Sequence, residues 1–157
     1  MQQLFASASN RQINIALTLL RVIVGAIFIA HGAQKLFVFG FAGVAGAFAG
    51  MGVPMAGILG PFVALVEFLG GMALVVGLLT RLASLGIAST MVVAIIVVHL
   101  KQGFFNPGGV EFPLSLLAST IALTLTGPGT WSLDGLIGRK ASPQNPEAER
   151  IPALRAA

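Results

Sequence analysis

Four long apolar runs, separated by short polar or glycine-rich breaks, organise this chain. The first extends from about Ile15 to Phe39 and the second from about Met55 to Leu79. The third covers about Leu82 to Leu100, and the fourth Phe112 to Leu125. A helix needs roughly 20 apolar residues to cross a bilayer, so the first three runs predict membrane-spanning helices. The fourth is short for a crossing; it either begins upstream, around Gly109, or is shielded by its neighbours.

The breaks carry their own signals. Residues 40–52 (GFAGVAGAFAGMG) are uncharged, and Val44, Phe48 and Met51 recur at helical spacing, which predicts a short helix lying in the interface. Pro54 is placed to open the second span, where a missing N–H costs little. Thr80-Arg81 is a tight connection, and KQGFFNPGGVE after the third span is a turn-rich loop. Gly127-Pro128-Gly129 stops the fourth span, and Trp131 follows as an interfacial aromatic. Ser132 is a candidate cap for a short amphipathic segment bearing Leu133, Leu136 and Ile137 on one face.

These boundaries divide the chain into a polar N-terminus (1–14), a membrane domain (15–138) and a polar, Pro-containing tail (139–157) expected to be disordered and cytoplasmic. The first apolar run is too long for a signal-peptide core and no small-residue cleavage site follows it, so it reads as a retained helix.

Composition supports a protein surrounded by lipid. The chain is 56% hydrophobic and 9% charged, with a mean hydropathy of +0.94, against roughly 25% charged residues in a soluble domain. Between Asn14 and Leu133 the only Asp, Glu, Lys or Arg are Arg21, Lys35, Glu67, Arg81, Lys101 and Glu111. The basic excess gathers at the ends of the runs, which is the positive-inside pattern and not a nucleic-acid-binding patch. Four spans put both termini on one side with Arg11, Arg21, Arg81, Arg139, Lys140, Arg150 and Arg155, leaving Lys35 and Lys101 opposite. The expected fold is therefore an all-α, up-down bundle of four transmembrane helices with cytoplasmic termini.

Cysteine and tyrosine are absent, which excludes thiol exchange, Fe–S clusters, Cys-rich zinc sites and tyrosyl chemistry within the chain. No metal site is assigned. Glu67 stands out because it falls near the middle of an apolar run, where an ionisable group costs about 2.5–3.5 kcal/mol to insert. On a rise of about 1.5 Å per residue, Glu67 lies roughly 16–18 Å below the outer membrane surface and His31 roughly 10–12 Å below it. Arg21, Gly25, Phe28, Gly32 and Lys35 recur at helical steps and form one stripe, with His31 beside it.

An outward-opening cluster of His31, Gln34, Lys35, His99, Lys101 and Glu111 follows, with Glu67 at its floor and Arg21 approaching Glu67 from below. Glu67 and His31 are the candidate catalytic residues; Arg21, Lys35, His99 and Glu111 are the candidate ligand-binding residues. Each has a plain structural alternative. Arg21 and Lys35 can snorkel, Glu111 suits a helix N-terminus, His99 suits an interface, and a neutral Glu67 can hold two helices together. Three chemistries fit the cluster: proton relay, binding of a quinone or another small carbonyl compound, and His ligation of haem, for which no motif is present. The segments HGAQKLFVFGF and HLKQGFFNPGG also echo each other at the outer ends of the first and third spans.

At these residues the chain resembles the DoxX family of small four-span bacterial membrane proteins. The similar elements are LLRVIVGAIFIAHGAQKLF, the MGVP turn, LVEFLGGMALVVGLLTRLA, HLKQGFF and TGPGTWSLD, in the expected order. The resemblance implies a multi-pass inner-membrane protein of a family often labelled as oxidoreductases. Some relatives are subunits of thiosulfate:quinone oxidoreductase, and others are linked to thiol or oxidative-stress handling. The family's recurrent polar positions fall on Arg21, His31, Lys35, Glu67, Arg81 and His99. The lack of cysteine departs from a thiol-exchange role. The expectation is a subunit of a quinone-linked or oxidative-stress redox system, working with a soluble or membrane redox partner. A non-enzymatic scaffold for a soluble oxidoreductase, and a transporter or channel built by homo-oligomers, stay open beside it.

Overall fold

The computed structural model describes residues 7–141, which form six α-helices and, among the described residues, no strand. They are α1 (Asn10–Ala33), α2 (Gly40–Gly50), α3 (Ala56–Val76), α4 (Thr80–Ala94), α5 (Glu111–Thr126) and α6 (Leu133–Ala141). A π-helical turn, Gln34–Phe39, extends α1, and a second, Ile95–His99, extends α4. Three helical stretches, 10–50, 56–76 and 80–102, are long and apolar enough to cross a membrane. α5 is apolar but has 16 residues, about 24 Å of helix against a hydrocarbon core of about 30 Å.

The helix ends form where the sequence supplies caps. Ser9 and Gln12 make a reciprocal capping box at the start of α1. Ser132 Oγ accepts from the Gly135 amide at 3.0 Å and caps α6 as expected. Two positions are corrected. Pro54 lies in the turn before α3 and does not open the helix, because Met55 adopts a left-handed conformation (φ 50°) before α3 begins at Ala56. Residues 139–141 belong to α6 and not to a disordered tail; the rest of that tail, and residues 1–6, lie outside the described residues.

α1 packs along α3, α3 against α4, α4 along α5, and α1 meets α5 more sparsely. Val24, Phe28, Leu74, Ile87, Met91, Leu116 and Leu123 form the buried centre. Outward-facing side chains such as Leu19, Ile23, Phe62, Leu69, Leu85 and Ile121 are apolar and exposed, as a lipid-facing surface requires. In lipid, apolar burial gives little drive for helix association, so close backbone packing matters more.

Glycines set the α1–α3 register. A Cβ on Gly25 would sit 2.7 Å from the Gly71 carbonyl oxygen, and one on Gly71 would sit 2.7 Å from the Ile29 amide. A Cβ on Gly32 would overlap the Phe68 backbone, coming 2.6 Å from its Cα. No flexible side-chain tip can yield there. Gly32→Ala should therefore push the two helices apart at a cost of about 1–3 kcal/mol. Thermal unfolding in mild detergent checks this, with Gly46→Ala as the control, since a Cβ at Gly46 meets nothing within 4 Å.

The segment 40–50 is a helix, as its spacing predicts, and it folds back over the N-terminal part of α3. Val44 is buried, and its backbone lies against Gly60. Left-handed Gly40 (φ 66°) makes the turn into α2, and Gly52 (φ 79°) makes the turn out.

Candidate functional site

A cavity of about 240 Å³ lies between the helices at the end of the bundle that carries α2. Phe28 and His31 line it from α1, Lys35 from the π-helical turn that follows, Val63 and Glu67 from α3, and Thr90, Met91 and Ala94 from α4. His99, Pro113 and Leu116 line it further round, and Phe48, Met51 and Val53 line it from α2 and the turn after it. The wall is overwhelmingly apolar, with five polar side chains: His31, Lys35, Glu67, Thr90 and His99. That is the usual make-up of a small-molecule site.

Glu67 is 4% exposed, and its carboxylate is ion-paired to the Lys35 ammonium. The α1–α3 register explains the pairing. With Gly32 seated on Phe68, a residue three positions further along α1 lies beside Glu67 on antiparallel α3. Lys35 stands in the π-helical turn, which Phe37 pins to α3 by an edge-to-face contact with Phe68 at 5.6 Å between ring centroids. Glu67 Oε2 takes the ammonium, and Oε1 accepts no hydrogen bond from the described residues.

His99 stands at the end of the second π-helical turn. Its Nδ1 lies 2.6 Å from the Gly108 carbonyl oxygen. A carbonyl only accepts, so Nδ1 carries the hydrogen, and Nε2 of the neutral ring is an acceptor. The first echo segment contains the π-helical turn 34–39, which ends at positive-φ Gly40; the second begins at His99, the last residue of the other π-helical turn, and reaches positive-φ Gly103 through a 3-10 turn at Leu100–Gln102. Short π-helical turns are frequent at functional sites. His31 lines the cavity while remaining exposed.

Arg21 is somewhere else. The expectation that it approaches Glu67 from below is corrected. It is 2% exposed and donates to the Leu74 and Val75 carbonyls, each at 2.9 Å, and to the Trp131 carbonyl at 2.7 Å. The same register is the cause. Gly25 already packs on Gly71 and Val75, so Arg21, one turn earlier, reaches the C-terminal end of α3. There it neutralises the negative end of a helix dipole and fills orphan carbonyls. Asp134 complements it on the next helix: its carboxylate accepts from the Leu79 and Thr80 amides at 2.8 and 2.9 Å, at the positive end of α4.

The outward-opening cluster also does not assemble as expected. Glu111 accepts from the Asn106 amide at 2.7 Å and orders its own loop outside the cavity lining. Gln34 and Lys101 are exposed and stand outside that lining as well. Apolar Phe48, Met51 and Val53 occupy part of the wall that the polar cluster was expected to form. Phe112 and Pro113 contribute from the start of α5 in place of Glu111.

Two residues were not singled out from the sequence. Thr90, 8% exposed in the cavity wall, gives no sequence signal, because threonine is common in membrane helices. Asp134 had one: it closes the TGPGTWSLD segment, and among the described residues it is the acid that meets the α3–α4 turn.

An apolar, all-helical fold with three membrane-length helices among the described residues, and an ion pair in the wall of an apolar cavity, defines a small multi-pass membrane protein. The chain belongs to the DoxX family, whose model matches residues 16–100. It is similar to a Bacillus subtilis protein named "Putative oxidoreductase CatD", with 37% identity over 128 residues, covering 82% of this chain and 91% of the relative. It is also similar to the uncharacterized membrane protein Rv3486 of Mycobacterium tuberculosis, at 32% identity over 78% of this chain and 82% of the relative. The inner membrane protein YqjF of Escherichia coli shares 31% identity over 81% of this chain and 95% of its own. No solved structure matches the chain significantly. The chain is a multi-pass protein of the bacterial inner membrane.

Proposed function

We propose that the cavity binds a single-ring, quinone-type redox compound drawn from the membrane, and that the chain serves as the membrane subunit of a redox system. The observation that carries this reading is the Lys35–Glu67 ion pair set in the wall of an apolar cavity. An ion pair used only for packing is often matched or bettered by apolar residues of similar volume. Beside a cavity it has a use, since it offers a cation, an anion and a transferable proton to a ligand.

Size supports the ligand class. A dry cavity of about 150 Å³ takes benzene. The 240 Å³ here suits one substituted ring and is too small for a flavin or a dinucleotide. In this reading Lys35 and His31 hold negative charge that develops on a ring oxygen, and Glu67 accepts and returns its proton. Electrons pass to or from a partner protein or the quinone pool, since the sequence carries no cofactor motif. The oxidoreductase label in the name of the Bacillus subtilis relative agrees with this role.

The test is equilibrium binding of duroquinone and of its quinol to purified protein in mild detergent. Saturable binding to the wild type is expected, with quinol binding weakened about tenfold or more in Glu67→Gln. Equal, negligible binding to both proteins would sink the reading.

The same reading takes α5 as the fourth span and places the termini and the Arg81 turn in the cytoplasm. The natural chain has no cysteine, so single cysteines report cleanly. In intact cells with a permeabilised outer membrane, an impermeant maleimide should label Asn106→Cys and leave Arg81→Cys unlabelled. The reverse pattern overturns the topology.

A further inference from the structure

The hydrogen-bonding character of the cavity goes beyond the reading just given and rests on it. Five polar side chains line the wall, and the bonds they already make fix what most of them can still do. Thr90 Oγ1 spends its hydrogen on the Ile87 carbonyl at 2.8 Å, so toward any other group it can only accept. His99 gives its Nδ1 hydrogen to Gly108, so in the neutral ring Nε2 only accepts. Glu67 is committed to Lys35 through Oε2, and Oε1 is a further acceptor. Lys35 has N–H groups beyond the one given to Glu67, and His31, which makes no hydrogen bond to the described residues, serves either way.

We infer that the cavity selects the reduced, hydroxyl-bearing form of its ring ligand over the oxidised, carbonyl form. Three acceptors stand in the wall against one committed donor, Lys35. A quinone brings only acceptors. It would satisfy Lys35 but set its other lone pairs against Glu67 Oε1, Thr90 Oγ1 or His99 Nε2. A quinol brings two O–H donors for those acceptors, and its oxygens can still accept from Lys35. By mass action, tighter binding of the reduced form makes the bound quinone the stronger oxidant.

The experiment compares duroquinol, duroquinone and the dimethyl ether of duroquinol, which keeps the ring but has no donors, under anaerobic conditions in the same detergent. The quinol should bind about tenfold or more tightly than either of the others, the effect of roughly one hydrogen bond to a charged group. Thr90→Val keeps the side-chain shape but removes an acceptor, so it should weaken quinol binding several-fold and narrow the gap between quinol and duroquinone. Glu67→Gln should shrink the quinol preference. Equal affinity for quinol and quinone, or tighter quinone binding, overturns this inference and leaves the binding site standing. Binding of none of the three removes the site itself.

Discussion

Replacing Arg21 by methionine is expected to destabilise the protein by about 3–5 kcal/mol, the scale for stripping one partner from a buried charged network. Three carbonyls lose their donor at once: Leu74 and Val75 at the end of α3, and Trp131 in the segment leading to α6. All three lie where Arg21 is almost wholly enclosed, so water does not easily replace it. Gly77 is also built around the guanidinium, because a Cβ there would overlap Nη1. Methionine fills some of the volume but satisfies none of the carbonyls. Arg21→Lys keeps the charge and loses the planar fork that reaches separate acceptors, so it should recover only part of the loss. Thermal unfolding in detergent measures both variants. Whatever Arg21→Met protein remains folded should bind the ring ligand with unchanged affinity, since Arg21 stands outside the cavity lining. A normal melting temperature together with lost binding would reverse the assignment.

The second large effect concerns Lys35 and Glu67. Lys35→Met leaves the Glu67 carboxylate buried without its cation, and a loss of about 3–5 kcal/mol is expected. The double variant Lys35→Met with Glu67→Leu removes both charges and should return close to wild-type stability. It should also abolish ligand binding. Those two outcomes separate the roles open for Glu67. A pair that only holds α1 to α3 would give a stable double variant with binding intact. A pair that serves the ligand gives a stable double variant with an inert cavity. Melting and equilibrium binding on the same preparations decide between them.

The sequence was most legible where a single segment carries the signal. Hydrophobic runs located α1, α3, α4 and α5 to within a few residues, because in lipid each helix must satisfy its own backbone. Val44, Phe48 and Met51 marked α2, and Ser132 marked the start of α6. Glu67 was conspicuous for its apolar surroundings alone. Its partner was not legible. Arg21 and Lys35 lie on the same stripe of α1, and either could serve a carboxylate on a neighbouring helix whose register is unknown. The contacts of Gly25, Gly32 and Gly71 fix that register, and no spacing rule states which turn of α3 they meet.

Glu111, Gln34 and Lys101 show a related limit. A depth estimate gives height along the bundle but not direction around it. Glu111 turned to its own loop amide, while Phe112 and Pro113 from the same helix start entered the cavity wall.

Composition and periodicity by themselves determined that this chain lives in a membrane, roughly where its helices lie, and that Glu67 needs a reason to be buried. Those properties depend on the solvent each segment meets, and every residue reports that locally. The tertiary structure alone decided that Lys35 neutralises Glu67, that Arg21 and Asp134 instead bind the two helix ends at the α3–α4 turn, and that α2 helps wall the cavity. Those outcomes depend on helix register, set by backbone contacts at a few glycines between segments far apart in sequence.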